Sequence, residues 1–121
     1  MNGKRWNRPM LALVALCWIV VPAFAAETWN GVPLVDTQCA TRVKDDPDGH
    51  TTKCALQCSP NGFGIFAADG TYLKLDEAGN TLAEAALRST KKTDHIRATV
   101  TGERQGDTIK VASLTLDEPA S

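Results

Sequence analysis

Phe63-Gly64-Ile65-Phe66-Ala67-Ala68-Asp69-Gly70-Thr71-Tyr72-Leu73-Lys74-Leu75-Asp76 is the stretch on which the fold turns. Two apolar runs, Phe63–Asp69 and Thr71–Asp76, flank Asp69-Gly70. Asp-Gly between such runs predicts a β-hairpin closed by a two-residue turn, because both turn positions tolerate positive φ. Downstream, Asp76-Glu77-Ala78-Gly79-Asn80 reads as a turn, and Thr81 with Glu84 three residues on forms a capping box. Leu82, Ala85, Ala86 and Ser89 would then share one face of a short helix. Ile96, Ala98 and Val100 alternate on a further strand ending at Gly102. After Glu103-Arg104-Gln105-Gly106-Asp107, a last strand runs from Thr108 to Leu116. Upstream, Val32-Pro33-Leu34-Val35-Asp36 is a strand whose proline suggests an edge or early position. The order of elements predicts a mainly β domain with two short helices. It matches a small five-stranded OB-like Greek-key barrel, with an open α+β sheet as the alternative.

The second helix follows from the segment that carries the chemistry, Cys39-x10-His50-x3-Cys54-x3-Cys58. His50 to Cys58 reads as a short helix, capped by Thr51 or Asp48 and ended by Pro60 and Gly62. On one helix, His50, Cys54 and Cys58 would lie along a single i,i+4 stripe. The outer two would be about 12 Å apart along the axis, too far to share one ion. A common site for Cys39, His50, Cys54 and Cys58 therefore requires His50 to sit in the loop before the helix. Three chemistries fit these residues. Cys39 pairs with Cys54 or Cys58 in a disulfide, closing a loop of 15 or 19 residues and adding ~3 kcal/mol to a small core. Or three thiolates and an imidazole hold Zn²⁺, or the thiolates hold Cu(I), with Asp36 orienting a ligand from behind. Or Cys54 and Cys58 form a redox pair, although their spacing is one longer than Cys-x-x-Cys.

Asp45, Asp46 and Asp48 around Pro47 lack the spacing of a calcium loop and read as a solvated turn. His95, beside Asp94, is a surface residue by context, or a contributor to a coordination shell. No nucleophile elbow, His-Glu-x-x-His or glycine-rich phosphate loop occurs, so no enzyme activity is expected.

The amino terminus predicts export. Lys4, Arg5 and Arg8 precede an unbroken apolar run from Met10 to Val21, followed by Pro22-Ala23-Phe24-Ala25-Ala26. Basic start, apolar middle and small residues at Ala23 and Ala25 are the three parts of a cleavable signal peptide over residues 1–25. The run is shorter than the ~20 residues that span a bilayer, so no stable membrane anchor is expected after cleavage. Cys17 is followed by further bulky apolar residues and does not fit a lipoprotein site, and Lys4-Arg5 is not a twin-arginine signal. The mature part, residues 26–121, is one domain destined for the periplasm or for secretion. Losing Lys4, Arg5 and Arg8 takes the net charge from -1 to -4. An acidic domain with few aromatics is not expected to bind nucleic acid. Three cysteines then remain in an oxidising space, and at most two can pair within the chain.

Gly31-Val32-Pro33-Leu34-Val35-Asp36-Thr37-Gln38-Cys39, then His50-x3-Cys54-Ala55-Leu56-x-Cys58, Asp69-Gly70, Val100-Thr101-Gly102 and Gly106-Asp107-Thr108-Ile109-Lys110-Val111, resemble a family of small, largely uncharacterised exported bacterial proteins. The likeness spans roughly residues 29–116. It implies export and an OB-like barrel, and it implies that Asp36, Cys39, His50, Cys54 and Cys58 belong together as one unit. The expected function is thus an exported, non-enzymatic binding module with a metal site in the cluster. A disulfide-stabilised structural or interaction domain is the alternative, and a thiol-redox accessory protein the third reading.

Overall fold

The computed structural model describes residues 26–118, together with Gly3, Cys17 and Trp18. The predicted signal peptide, residues 1–25, lies outside the described residues except for those three. The chain forms β1 (Glu27–Asp36), α1 (Thr52–Gln57), β2 (Phe63–Phe66), β3 (Tyr72–Leu75), α2 (Glu77–Ser89), β4 (Arg97–Gln105) and β5 (Thr108–Leu116). Short 3₁₀ turns occupy Pro47–Gly49 and Ser59–Asn61. Among the described residues no helix is long and apolar enough to cross a membrane.

The strands close into a barrel in the order β1-β2-β3-β5-β4. Closure rests on β1, which pairs with β4 along Glu27–Pro33 and with β2 along Leu34–Asp36. It excludes the open α+β sheet. Pro33 sits where β1 passes from one partner to the other, so a residue without an N–H falls at the hand-over. It is therefore not an edge position. β3 and β5 run parallel, Lys74 opposite Thr108 and Leu75 opposite Ile109, and α2 fills the connection between β3 and β4. This is the connectivity expected of an OB-like barrel.

Alternation builds the core. Leu34, Ile65, Leu73, Val100 and Ile109 point into the barrel and are at most 2% exposed. A second, smaller cluster of Val35, Ala40 and Phe66, flanked by Val43 and Tyr72, lies on the other face of β1. It holds the segment after β1 against the barrel, so Val32 to Asp36 are buried without interruption. Asp36 shares the face of Val32 and Leu34 by the two-residue period, and it is 0% exposed at the end of that face.

Two local expectations are corrected. The hairpin loop is not a two-residue turn. β2 and β3 pair last at Phe66 and Tyr72, and Ala67 N–H donates to Thr71 O at 2.8 Å. Gly70 takes φ +84°, and its N–H donates to Ala67 O. Asp69 keeps negative φ and accepts the Thr71 N–H at 3.0 Å instead. A tight turn followed by one left-handed glycine thus replaces two left-handed residues. In addition, α2 starts one turn before the predicted capping box, in what reads as a turn. Asp76 is its cap, accepting the Gly79 N–H at 2.9 Å and also the Val111 N–H of β5 at 3.2 Å. An acceptor serving helix and strand at once outweighs a cap at Thr81, whose hydroxyl donates to Glu77 O. The buried face also differs from the predicted one: Gly79, Ala83 and Leu87 face the barrel, Ala86 packs against the core only in part, and Leu82 is 39% exposed.

Candidate metal centre

Asp36 ends β1, and its carboxylate organises the chain on either side of the site. Oδ2 accepts the Cys39 N–H at 3.0 Å, bending the chain into a turn that places the Cys39 side chain back over the acid. Oδ1 lies 2.5 Å from His50 Nε2. Between Cys39 and His50 the chain makes successive short turns, with Arg42 and Val43 N–H donating to Cys39 O, and Asp46 N–H to Val43 O.

His50 is delivered from the other side by two anchors. Asp48 forms a fork with Arg97 of β4, Nε to Oδ1 at 3.1 Å and Nη2 to Oδ2 at 2.8 Å, while Nη1 reaches Gly31 O at 2.9 Å. The Arg97 guanidinium holds the Asp48 carboxyl below the usual carboxylate range. After His50, Thr51 caps α1 through the Cys54 N–H at 3.1 Å, and Thr52 N–H donates to Thr93 O at 2.9 Å. Helix α1 therefore begins beyond His50, and the imidazole belongs to the preceding loop. The stripe predicted for His50, Cys54 and Cys58 is broken by that start. The three aspartates read as a solvated turn include, in Asp48, a structural strut that no spacing in the sequence signals.

The structure brings together Asp36, Cys39 and His50, with ligand atoms all within 4.8 Å of one another. Their exposures are 0%, 7% and 8%. Cys58 caps the end of α1 and is half-buried. Cys54 is exposed on α1. His95 stays at the surface, its Nδ1 3.0 Å from Asp94 Oδ1. Cys39, Cys54 and Cys58 all carry thiols.

No family model, curated protein or solved structure matches the chain. The chemistry of the site has to carry the functional reading. Burial pushes the Cys39 thiol up, and the negative charge and hydrogen bond of Asp36 push it further, with Cys58 adding to both effects. The same surroundings suit a cation. Carboxylate, imidazole and thiol offer oxygen, nitrogen and sulfur from three directions, and positive charge among them would favour the thiolate over the thiol.

Asp36 contacts His50 directly, the contact by which a carboxylate orients an imidazole. The signal for it is the Asp-x-x-Cys spacing, in which a side-chain acceptor meets the N–H three residues on. Arg97 left no comparable sign, since its partner lies 49 positions away.

Proposed function

We propose that this domain is an exported, non-enzymatic binding module that holds one thiophilic divalent cation, Zn²⁺ in the first instance, at Asp36, Cys39 and His50. The observation that carries the reading is the convergence of three buried ligand-type side chains within 4.8 Å. An acid buried at 0% exposure is costly unless opposed by positive charge or hydrogen bonds, and a cation would oppose it directly. Mixed oxygen, nitrogen and sulfur donors favour Zn²⁺ over the hard cations, while a single buried thiol supports Cu(I) less well. Export rests on the three-part amino terminus.

The test is metal content of the mature domain, purified under reducing conditions and measured by native mass spectrometry with elemental analysis. One Zn²⁺ per chain, lost in Cys39→Ser and in His50→Ala, is the expected result. Co²⁺ substitution should give a sulfur-to-metal charge-transfer band that Cys39→Ser removes. A chain that takes up neither Zn²⁺ nor Co²⁺ after dialysis against buffered metal would overturn the reading.

A second reading, a disulfide-stabilised interaction domain, is favoured by one observation: the turn after α1, just beyond Cys58, is hydrogen-bonded to the turn after β1 that carries Cys39. A bridge there would fasten α1 to the turn after β1.

A further inference from the structure

Cys58 lies outside the three-residue binding group, yet the fold sets the turn that follows it against the turn that carries Cys39. The turn after α1 is laced to the turn after β1 by two bonds. Thr37 N–H donates to Gly62 O at 2.9 Å, and Asn61 Nδ2 donates to Gln38 Oε1 at 2.7 Å. Cys39 directly follows Gln38 and Cys58 lies three residues before Asn61, so these bonds hold the turns that carry the two cysteines side by side. The third thiol, Cys54, is one turn earlier on α1 and exposed. A Cys54–Cys58 bridge along one helix would lack the required dihedral.

We infer that Cys39 and Cys58 form a disulfide when a disulfide oxidant is present, and that this bond releases the cation, so that the centre is loaded only in its dithiol state. The inference rests on the cation-binding reading above. Accessibility sets the order of events: Cys58 is half-buried and meets solvent, whereas Cys39 is 7% exposed. The Cys58 thiolate attacks one sulfur of a small-molecule disulfide such as oxidised glutathione. The oxidant's S–S bond breaks, and its first thiolate leaves. The Cys39 thiolate then attacks the Cys58 sulfur of the mixed disulfide and expels the second thiolate. From the loaded centre the protein loses two electrons, the Cys58 thiol proton and the cation; the oxidant takes the two electrons and leaves as two thiols, its second proton coming from solvent. Cys39 sulfur, now in a neutral disulfide, no longer supplies the negatively charged ligand, and the cation is left with Asp36 and His50 alone. A dithiol reductant reverses the bond and restores the site. Cys54 remains a free thiol in both states, which accounts for the odd cysteine count.

The experiment uses the mature domain equilibrated with Zn²⁺ and titrated with oxidised glutathione. Zn²⁺ release is followed with a chromogenic chelator, and disulfides are mapped by peptide mass spectrometry after alkylation. Expected are a Cys39–Cys58 crosslink, an alkylated Cys54, and Zn²⁺ affinity weakened at least ~10-fold, as is usual when a metal's immediate surroundings are lost. Dithiothreitol should reverse all of this. Cys58→Ser and Cys58→Ala should retain Zn²⁺ in oxidant, and Cys54→Ser should respond like the wild type. A crosslink that leaves Zn²⁺ affinity unchanged, or a crosslink through Cys54, would overturn the inference while sparing the cation-binding reading. A reduced wild type that binds no Zn²⁺ but forms the Cys39–Cys58 bond would overturn both and leave the structural disulfide.

Discussion

Asp36 and Tyr72 show how single side chains set the local chemistry. Asp36 closes a strand with an acid where the alternation demands an apolar residue. That break in pattern is visible in Val32-Pro33-Leu34-Val35-Asp36, but its partner is not, because His50 approaches through 13 residues of irregular chain. Cys39 and His50 are legible as a pair of metal-type residues; that Cys54 points to solvent is not, since it depends on α1 starting at Thr52. Tyr72 is the chain's one tyrosine. Its hydroxyl donates to Val35 O at 2.8 Å and lies 3.3 Å from Thr37 Oγ1, and its ring packs on Phe66 at 5.1 Å. Burial pushes its phenol up to about 12 from the ordinary 10.0. A raised folded value means that folding favours the protonated phenol. The stability linked to this group is fully present below pH ~10 and is lost as pH rises through about 12. Phenolate absorbance should therefore appear near pH 12 and coincide with loss of tertiary circular dichroism. A reversible titration near pH 10 in the folded protein would contradict this placement of the ring.

At the scale of elements, the strands were legible and the helix phase was not. Strand positions follow from alternation and from turn residues, both of which are local signals. The start of α2 is decided by a non-local one, the Val111 N–H that Asp76 also accepts. Gly79 shows the same competition between local preference and packing. Alanine is the better helix former by ~1 kcal/mol, which alone predicts that Gly79→Ala stabilises. A Cβ there, however, would stand 2.5 Å from Val111 Cγ2 and 2.9 Å from Leu75 Cβ, both in the barrel wall. Neither neighbour is the free end of a long side chain, so the helix must move outward. Overpacking of that kind costs about 1–3 kcal/mol and outweighs the propensity gain. Urea unfolding of Gly79→Ala should show a lower midpoint with unchanged slope. A raised midpoint would mean that α2 has room to shift and is not pinned by Asp76.

The whole molecule joins a closed barrel to an outer segment, residues 37–50, that has no regular strand and little core of its own. The barrel is held by apolar burial, the segment by the Val35–Ala40–Phe66 cluster, the Asp48–Arg97 fork and the Asp36–His50 contact. A cation at Asp36, Cys39 and His50 would tie the end of β1 to both ends of that segment, and such a site cannot exist in the unfolded chain. Binding must then stabilise the native state by mass action. At free Zn²⁺ one hundredfold above its Kd, the gain is about 2.7 kcal/mol. For a domain of this size that corresponds to a rise in Tm of roughly 10–20 °C. Thermal unfolding of reduced residues 26–121 should show this rise with Zn²⁺ and its reversal with a chelator, and His50→Ala should respond to neither. Hydrogen exchange places the effect: protection should increase across residues 37–50 more than in β4 and β5, which the barrel already secures. A uniform increase over all strands would point to adventitious surface binding, and an unchanged Tm to a domain whose outer segment is fastened without metal.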